Sequence, residues 1–328
     1  MPSSSTYCEE ATVLYPEIEP HAHGLLDVGD GNSVYWEECG NPDGKPALVV
    51  HGGPGSGCSP QSRRFFDPDA YRVLLLDQRG CGRSTPNVAD YETDLSVNTT
   101  HHLIADMEKL REHRGVDRWL LFGGSWGSTL ILAYAQRFPE RVSEAVIGGV
   151  TVDPHREVDW MMDGIRLLLP EAWERFRQGA PGDRRLDAEY ADLLNDPDPA
   201  VRAKAADDWC AWDDALLTLD GDSPTDRWSD PRFRYGFARM VTHYFRHDAW
   251  LERGELLDGL PGLAGIPAVL VQGTRDISAP MLSAWLVAKG WPGTELVAVK
   301  GAGHTSDEPG NTAALVAATD RFRPHPHG

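Results

Sequence analysis

Short unbroken apolar runs alternate with stretches of helical periodicity along most of the chain. Ala47-Leu48-Val49-Val50 and Tyr71-Arg72-Val73-Leu74-Leu75-Leu76 have strand length and almost no polar interruption, the pattern of strands covered on both faces. Trp119-Leu120-Leu121-Phe122, Val142 to Val150, Pro267 to Gly273 and Glu295 to Val299 repeat it. Between them, Thr100 to Arg114 carries Leu103, Ile104, Met107 and Leu110 at helical spacing, and Ser128 to Arg137 and Asn311 to Phe322 also read as helices. Nearer the start, Leu25-Leu26-Asp27-Val28 and Ser33-Val34-Tyr35-Trp36-Glu37 flank Gly29-Asp30-Gly31-Asn32, a hairpin turn signal. The alternation predicts an α/β protein with a mostly parallel twisted sheet and helices on both faces.

The pattern breaks once. From about Asp153 to Asp258 there is no convincing strand, only helix-like stretches near 157–178, 199–219 and 231–253, punctuated by Pro197, Pro199 and Pro224. We read residues 153–258 as a helical cap inserted into one α/β core built from 1–152 and 259–328. Residues 1–20 read as a loose polar arm, and 323–328 as a disordered tail.

Composition excludes more than it selects. A net charge of −19 argues against nucleic acid and anionic membranes as partners, since both need a basic surface. No apolar run is long enough to span a bilayer, and Met1 to Thr6 shows neither a basic nor an apolar signal region. The five cysteines, Cys8, Cys39, Cys58, Cys81 and Cys210, are odd in number and lack framework spacing. Free thiols in a reducing, cytoplasmic setting are expected.

The chemistry centres on Gly123-Gly124-Ser125-Trp126-Gly127, which stands between an apolar strand and a helix. G-x-S-x-G in that context raises a serine hydroxyl on a sharp turn at the head of a helix. A serine needs a base, and the base needs an orienting carboxylate. In this arrangement they follow in the order acid, then histidine. Gly273-Thr274-Arg275-Asp276 and Gly301-Ala302-Gly303-His304 close the last two strands and offer both, Asp276 as orienter and His304 as base. Asp307 and Glu308 are fallback carboxylates, but they follow His304 too closely to reach its far nitrogen with ease. An oxyanion would be met by the N–H of Trp126 and by one from His51-Gly52-Gly53-Pro54-Gly55, with Gly53 preferred over Gly52. These glycines do not form a phosphate loop, because G-x-x-x-x-G-K-[S/T] is missing. His243 and His247, four apart, lack the glutamate of a zinc-protease motif, so packing is their expected role and no metal is expected. Cys58 and Cys81 lie beside the pocket loops without a neighbouring base. Arg79 and Arg83 are expected to fix loops.

The blocks HGGPGSG, DQRGCGRS and GGSWGSTLILAYAQRFPERV, followed by Trp209-Cys210-Ala211-Trp212-Asp213 and His243-Tyr244-Phe245, resemble the prolyl iminopeptidase family of α/β hydrolases across roughly residues 25–322. The resemblance implies an α/β-hydrolase fold, triad roles for Ser125, Asp276 and His304, no cofactor, and a cap over a pocket for substrates with a free N-terminal amine. Family members hold that amine with two cap glutamates. Here one position is Asp213 and the other Val241, with Trp212 and Tyr244 beside them in the same two motifs. Asp213 can still oppose an ammonium; Val241 cannot.

The expected activity is therefore that of a serine hydrolase cleaving an aminoacyl group from an amide through an acyl-enzyme. The lost glutamate favours a residue other than proline, or a large apolar acceptor. Some family members remove an aminoacyl group from a polyketide or other natural-product intermediate, and a cap bearing Trp160, Met161, Met162, Trp173, Trp209, Trp212 and Met240 would suit such a substrate. An esterase or thioesterase without an amine requirement and a non-catalytic ligand-binding member of the fold are the other readings. Nothing in the sequence assigns an oligomeric state.

Overall fold

The hairpin signal at Asp30-Gly31 is realised as a turn in which both residues have positive φ, 54° and 72°, a geometry whose twist matches that of paired strands. It joins β1 (Ala22–Gly29) to β2 (Asn32–Gly40). The computed structural model describes residues 14–217 and 226–324. Six further strands follow: β3 (Lys45–Val50), β4 (Tyr71–Leu76), β5 (Trp119–Ser125), β6 (Val142–Val150), β7 (Ala268–Gly273) and β8 (Thr294–Val299). They form one sheet in the order β1-β2-β4-β3-β5-β6-β7-β8. Only the β1–β2 and β2–β4 pairings are antiparallel; β4 to β8 pair in parallel.

Helices α1 (Thr100–His113) and α2 (Trp126–Arg137) precede the insertion. Within it come α3 (Pro154–Met162), α4 (Pro170–Gly179), α5 (Leu186–Leu193), α6 (Pro199–Leu217) and α7 (Pro231–Arg246). The chain then adds α8 (Glu255–Gly259), which straddles the expected boundary at 258, α9 (Met281–Gly290) and α10 (Pro309–Arg321).

Each apolar run serves two cores at once. Leu48, Val50, Leu74, Leu76 and Leu121 face α1 and α2 in one cluster. Their neighbours Ala47, Val49, Val73, Leu75 and Leu120 face Phe65, Phe66 and Leu315 in another. Side chains alternate across a strand, so burial on both faces makes the run continuous in sequence. A third cluster holds the insertion together, with the Phe176 ring stacked between Tyr190 at 4.5 Å and Trp212 at 5.0 Å. Helix α7 joins it to the core, giving Phe237 and Val241 to the cap cluster and Met240 and Tyr244 to the sheet cluster.

Several expectations need correction. The stretch 157–178 is two helices, interrupted by a tight turn at Gly164–Leu167. The stretch 231–253 ends its helix at Arg246, because Asp248, Ala249 and Trp250 all take positive φ. Helix α5 was not expected; its buried Asp187 is held by Arg185 at 2.7 and 2.9 Å. Residues 218 and 219 and Pro224 lie outside the described residues, as do 1–13 and 325–328. The described part of the arm is tied down rather than loose. Tyr15 N donates to the Arg64 carbonyl at 2.9 Å and its hydroxyl to Asp320 at 2.6 Å, while Leu14 and Ile18 pack on the core.

The loop after β4 is fixed as expected. Arg79 reaches both Asp106 oxygens, at 2.6 and 2.9 Å, and Arg83 bridges Asp77 and Glu37. Among the described residues, no helix is long and apolar enough to cross a membrane. Cys39, Cys58, Cys81 and Cys210 are free thiols.

Candidate active site

Strand β5 runs into α2 with no intervening loop, and Ser125 alone makes the turn, at φ 56° and ψ −129°. That region costs a non-glycine residue about 1–3 kcal/mol, so the surroundings must impose it. A Cβ on Gly123 or on Gly127 would stand 2.3 Å from the Val50 carbonyl oxygen, so neither position admits a side chain. Thr151 Oγ1 and Ser128 Oγ donate to the Ser125 carbonyl at 2.8 and 2.6 Å and clamp the turn from below. The start of α2 presents its free N–H groups and positive dipole end here.

Asp276 and His304 arrive on the loops that follow β7 and β8. Asp276 Oδ2 lies 2.8 Å from His304 Nδ1. The buried carboxylate is itself oriented: Oδ1 accepts from Ala279 N at 2.8 Å and Oδ2 from Gln272 Nε2 at 2.9 Å. An acceptor on Nδ1 assigns the proton to that nitrogen and leaves Nε2 as the basic one. The fallback carboxylates play other parts. Glu308 accepts from Gly303 N at 2.7 Å and shapes the histidine loop, and Asp307 is exposed. The imidazole passes so close to Gly149 that a Cβ there would stand 3.0 Å from its Cε1. Burial pushes the His304 pKa down, but the charge and hydrogen bond of Asp276, helped by Asp213, outweigh it and leave it above 6.5, with Arg227 opposing.

Gly52, Gly53 and Trp126 border the same cavity as Ser125 and His304. Gly53 has φ 113°, a conformation that favours glycine. The Trp126 indole is anchored by a 3.0 Å hydrogen bond to Gln78 Oε1 and by the Tyr244 ring, 4.8 Å between centroids. Cys81 does have an imidazole beside it, contrary to expectation: its Sγ is 3.4 Å from His51 Nε2. Burial pushes the thiol well up and the imidazole down, so the neutral forms are favoured and no thiolate forms. Burial raises the Cys58 thiol in the same way.

The cavity has a volume of about 370 Å³ and lies between the elbow and the cap. A family model described as alpha/beta hydrolase fold matches residues 45–306. A probable proline iminopeptidase of Streptomyces coelicolor is 51% identical over 94% of this chain and 97% of its own length. The proline iminopeptidase of Arabidopsis thaliana is 41% identical over 98% of this chain and 84% of its own. The chain belongs to the proline iminopeptidase family of α/β hydrolases. The crystal structure of VinJ shares the fold, with a TM-score of 0.69 at 18% identity over 93% of this chain and 99% of that one.

Both cap positions at which resemblance to the proline iminopeptidases places glutamates face this cavity, as Asp213 and Val241. Burial pushes the Asp213 carboxyl up, opposed by Arg227 and His304. Trp212 lines the wall, stacked flat on Phe176. Tyr244 also lines it, but its hydroxyl donates to Asn98 Oδ1 at 2.7 Å, so only the ring is free for a ligand. Of the other cap residues singled out, Met161, Met162 and Trp209 border the cavity. Trp160 and Trp173 instead bond the carbonyls of Ile277 and Met162, and Met240 packs on Gly55. His243 packs as expected, its Nε2 bonded to the Asn98 carbonyl at 2.9 Å and its pKa lowered by burial to about 4. Among the described residues, no group of three or more side chains could hold a metal ion.

Two residues of the site escaped the sequence. Gln272 bridges the acid loop to β6, donating to Asp276 and to the Ala279 carbonyl while accepting from Val150 N at 2.8 Å. An amide inside an otherwise apolar strand was its signal, because a buried amide needs partners. Arg227, 3.5 Å from Asp213, had none.

The opposing effects of Asp213 and Arg227 on His304 give a pH test. With His304 as the base, the working form is neutral, and kcat/KM should fall with acid through a pKa above 6.5. Asp213→Asn removes a charge that stabilises the imidazolium and should move this acid limb to lower pH. Arg227→Gln removes an opposing charge and should move it higher. Matched pH–rate profiles check both signs; two shifts in the same direction would contradict the assignment of His304 as base.

Proposed function

We propose that the protein is a serine aminopeptidase that removes an N-terminal aminoacyl residue, with proline the first candidate, from an amide by way of an acyl-enzyme. Ser125 Oγ attacks the carbonyl carbon while His304 Nε2 takes its proton. The N–H groups of Trp126 and Gly53 receive the oxyanion. His304 then protonates the departing amine, and water, activated by the same imidazole, releases the free amino acid. Asp276 keeps His304 in the working tautomer, and Asp213 holds the substrate ammonium. No cofactor enters this scheme.

The Asp276–His304 hydrogen bond, in one cavity with Ser125 on its strained turn, carries the reading. The proline iminopeptidase relatives supply the aminoacyl class. A cavity of about 370 Å³, near the small end for ligand sites, suits a single small aminoacyl residue beside Ser125. The free thiols suit a cytoplasmic setting.

Aminoacyl-naphthylamides, with proline and alanine first, test the function. N-acetylation of the best substrate should lower kcat/KM by at least about tenfold, because it removes the charge-assisted hydrogen bond between the ammonium and Asp213, worth about 1.5–3 kcal/mol. Indifference to acetylation would favour the esterase reading. Val241→Glu, which adds a second carboxylate, should raise kcat/KM for the free-amine substrate.

A further inference from the structure

Arg227 is the single Lys or Arg among the described residues lining the cavity, and the scheme above gives it no task. Its guanidinium carbon sits 4.4 Å from the ring centre of Trp228 and 4.7 Å from that of Phe237. Nη2 donates to Ser56 Oγ at 3.2 Å, on the same glycine-rich loop as Gly53, and Nη1 stands 3.5 Å from Asp213 Oδ2. Structural arginines in this chain are held differently. Arg79 meets both oxygens of Asp106 at 2.6 and 2.9 Å and also binds the carbonyls of Val28 and Val97. Arg227 is supported by aromatic faces and touches its carboxylate loosely. The other carboxylate on the wall, Glu157, is saturated by Val152 N, Asp153 N and Ser283 Oγ.

A charge count turns this into a statement about substrate. An ammonium beside Asp213 and Arg227 makes a trio of net charge +1 in a confined site, where an uncompensated charge costs several kcal/mol, on the order of buried-ion penalties. Two carboxylates around the same ammonium would sum to −1. Val241 supplies no charge, and the nearby carboxylates Asp214 and Glu157 are bonded to Trp228 Nε1 and Ser283 Oγ rather than to Arg227, so the guanidinium keeps donors to offer an acid that enters with the substrate. A guanidinium offers a planar fork of donors that fits a carboxylate.

We propose that Arg227 binds a carboxylate of the substrate, so that the pocket selects zwitterionic aminoacyl amides, with the amine at Asp213 and the acid at Arg227. This rests on the aminopeptidase reading of the same site. The acid can sit on the leaving half, as in a dipeptide, or on the acyl side chain, as in an N-terminal glutamyl residue.

Prolylglycine against prolylglycinamide tests the first source, and glutamyl against glutaminyl anilide the second. Each pair is measured by kcat/KM on active enzyme and by calorimetric binding to the Ser125→Ala variant. One pair should favour the acid by at least about tenfold, the worth of one charge-assisted hydrogen bond. Adding Arg227→Gln to either background should bring that ratio close to one, and Arg227→Lys should restore part of it. Acid and neutral ligands handled equally in both pairs, or a ratio that survives Arg227→Gln, overturns the proposal. Hydrolysis of prolyl amides without acid preference rejects the role of Arg227 and keeps the aminopeptidase. Acid-selective binding to Ser125→Ala, with no aminoacyl turnover by the wild type, does the reverse.

Discussion

Ser125→Ala is expected to lower kcat by about 10⁶, the scale on which losing the nucleophile of such a triad costs activity. The scheme has no second group able to take over. Cys58 and Cys81 have thiols raised by burial, and the Ser128 hydroxyl donates to the Ser125 carbonyl. The fold should survive, because alanine removes one oxygen facing a cavity, and β5 and α2 keep their pairing and packing. Residual turnover would come from the oxyanion donors and substrate positioning alone. Steady-state assay with active-site titration by a fluorophosphonate checks it. A variant that keeps more than about one per cent of wild-type kcat would remove Ser125 from the mechanism, since one per cent is far above such residual rates.

Asp276→Asn should cost about 10⁴ in kcat, the loss expected when the histidine is held in the wrong tautomer. The local bonding sharpens this expectation. Both carboxylate oxygens now accept, one from Ala279 N and the other from Gln272 Nε2 and His304 Nδ1. Asparagine has one acceptor oxygen. If it stays with Ala279, the new NH₂ group faces the Gln272 amide and donates to Nδ1, placing the ring proton on Nε2 and removing the base. The unmade bond to Gln272 should also destabilise the fold by about 1–3 kcal/mol. Thermal unfolding beside kcat separates the two effects. A tenfold or smaller loss of kcat would point to another orienting group, such as Glu308.

Both effects depend on residues whose types and order are readable before any folding. The glycines flanking Ser125 are dictated by a carbonyl contact at Val50 that G-x-S-x-G already encodes. The acid and base stand directly after apolar runs, where parallel strands deliver their loops. Cap boundaries were harder to read. Helix α7 belongs to two clusters, so its apolar positions spread around its circumference and mask where the helix stops. The three positive-φ residues at 248–250 carry no glycine to announce the bend.

What the sequence determined by itself was the class of chemistry and the sheet that presents it, because strand burial, turn sterics and the order of serine, acid and histidine are local properties of short segments. What only the tertiary structure decided was the electrostatics of the pocket. Arg227 and Asp213 are brought together across the cap, and Gln272 reaches Asp276 across the bend that ends β7. The Tyr244 hydroxyl turns away to Asn98. Interactions of charges and hydrogen bonds fall off over a few ångströms in space, and the distance along the chain does not reveal which of them will meet.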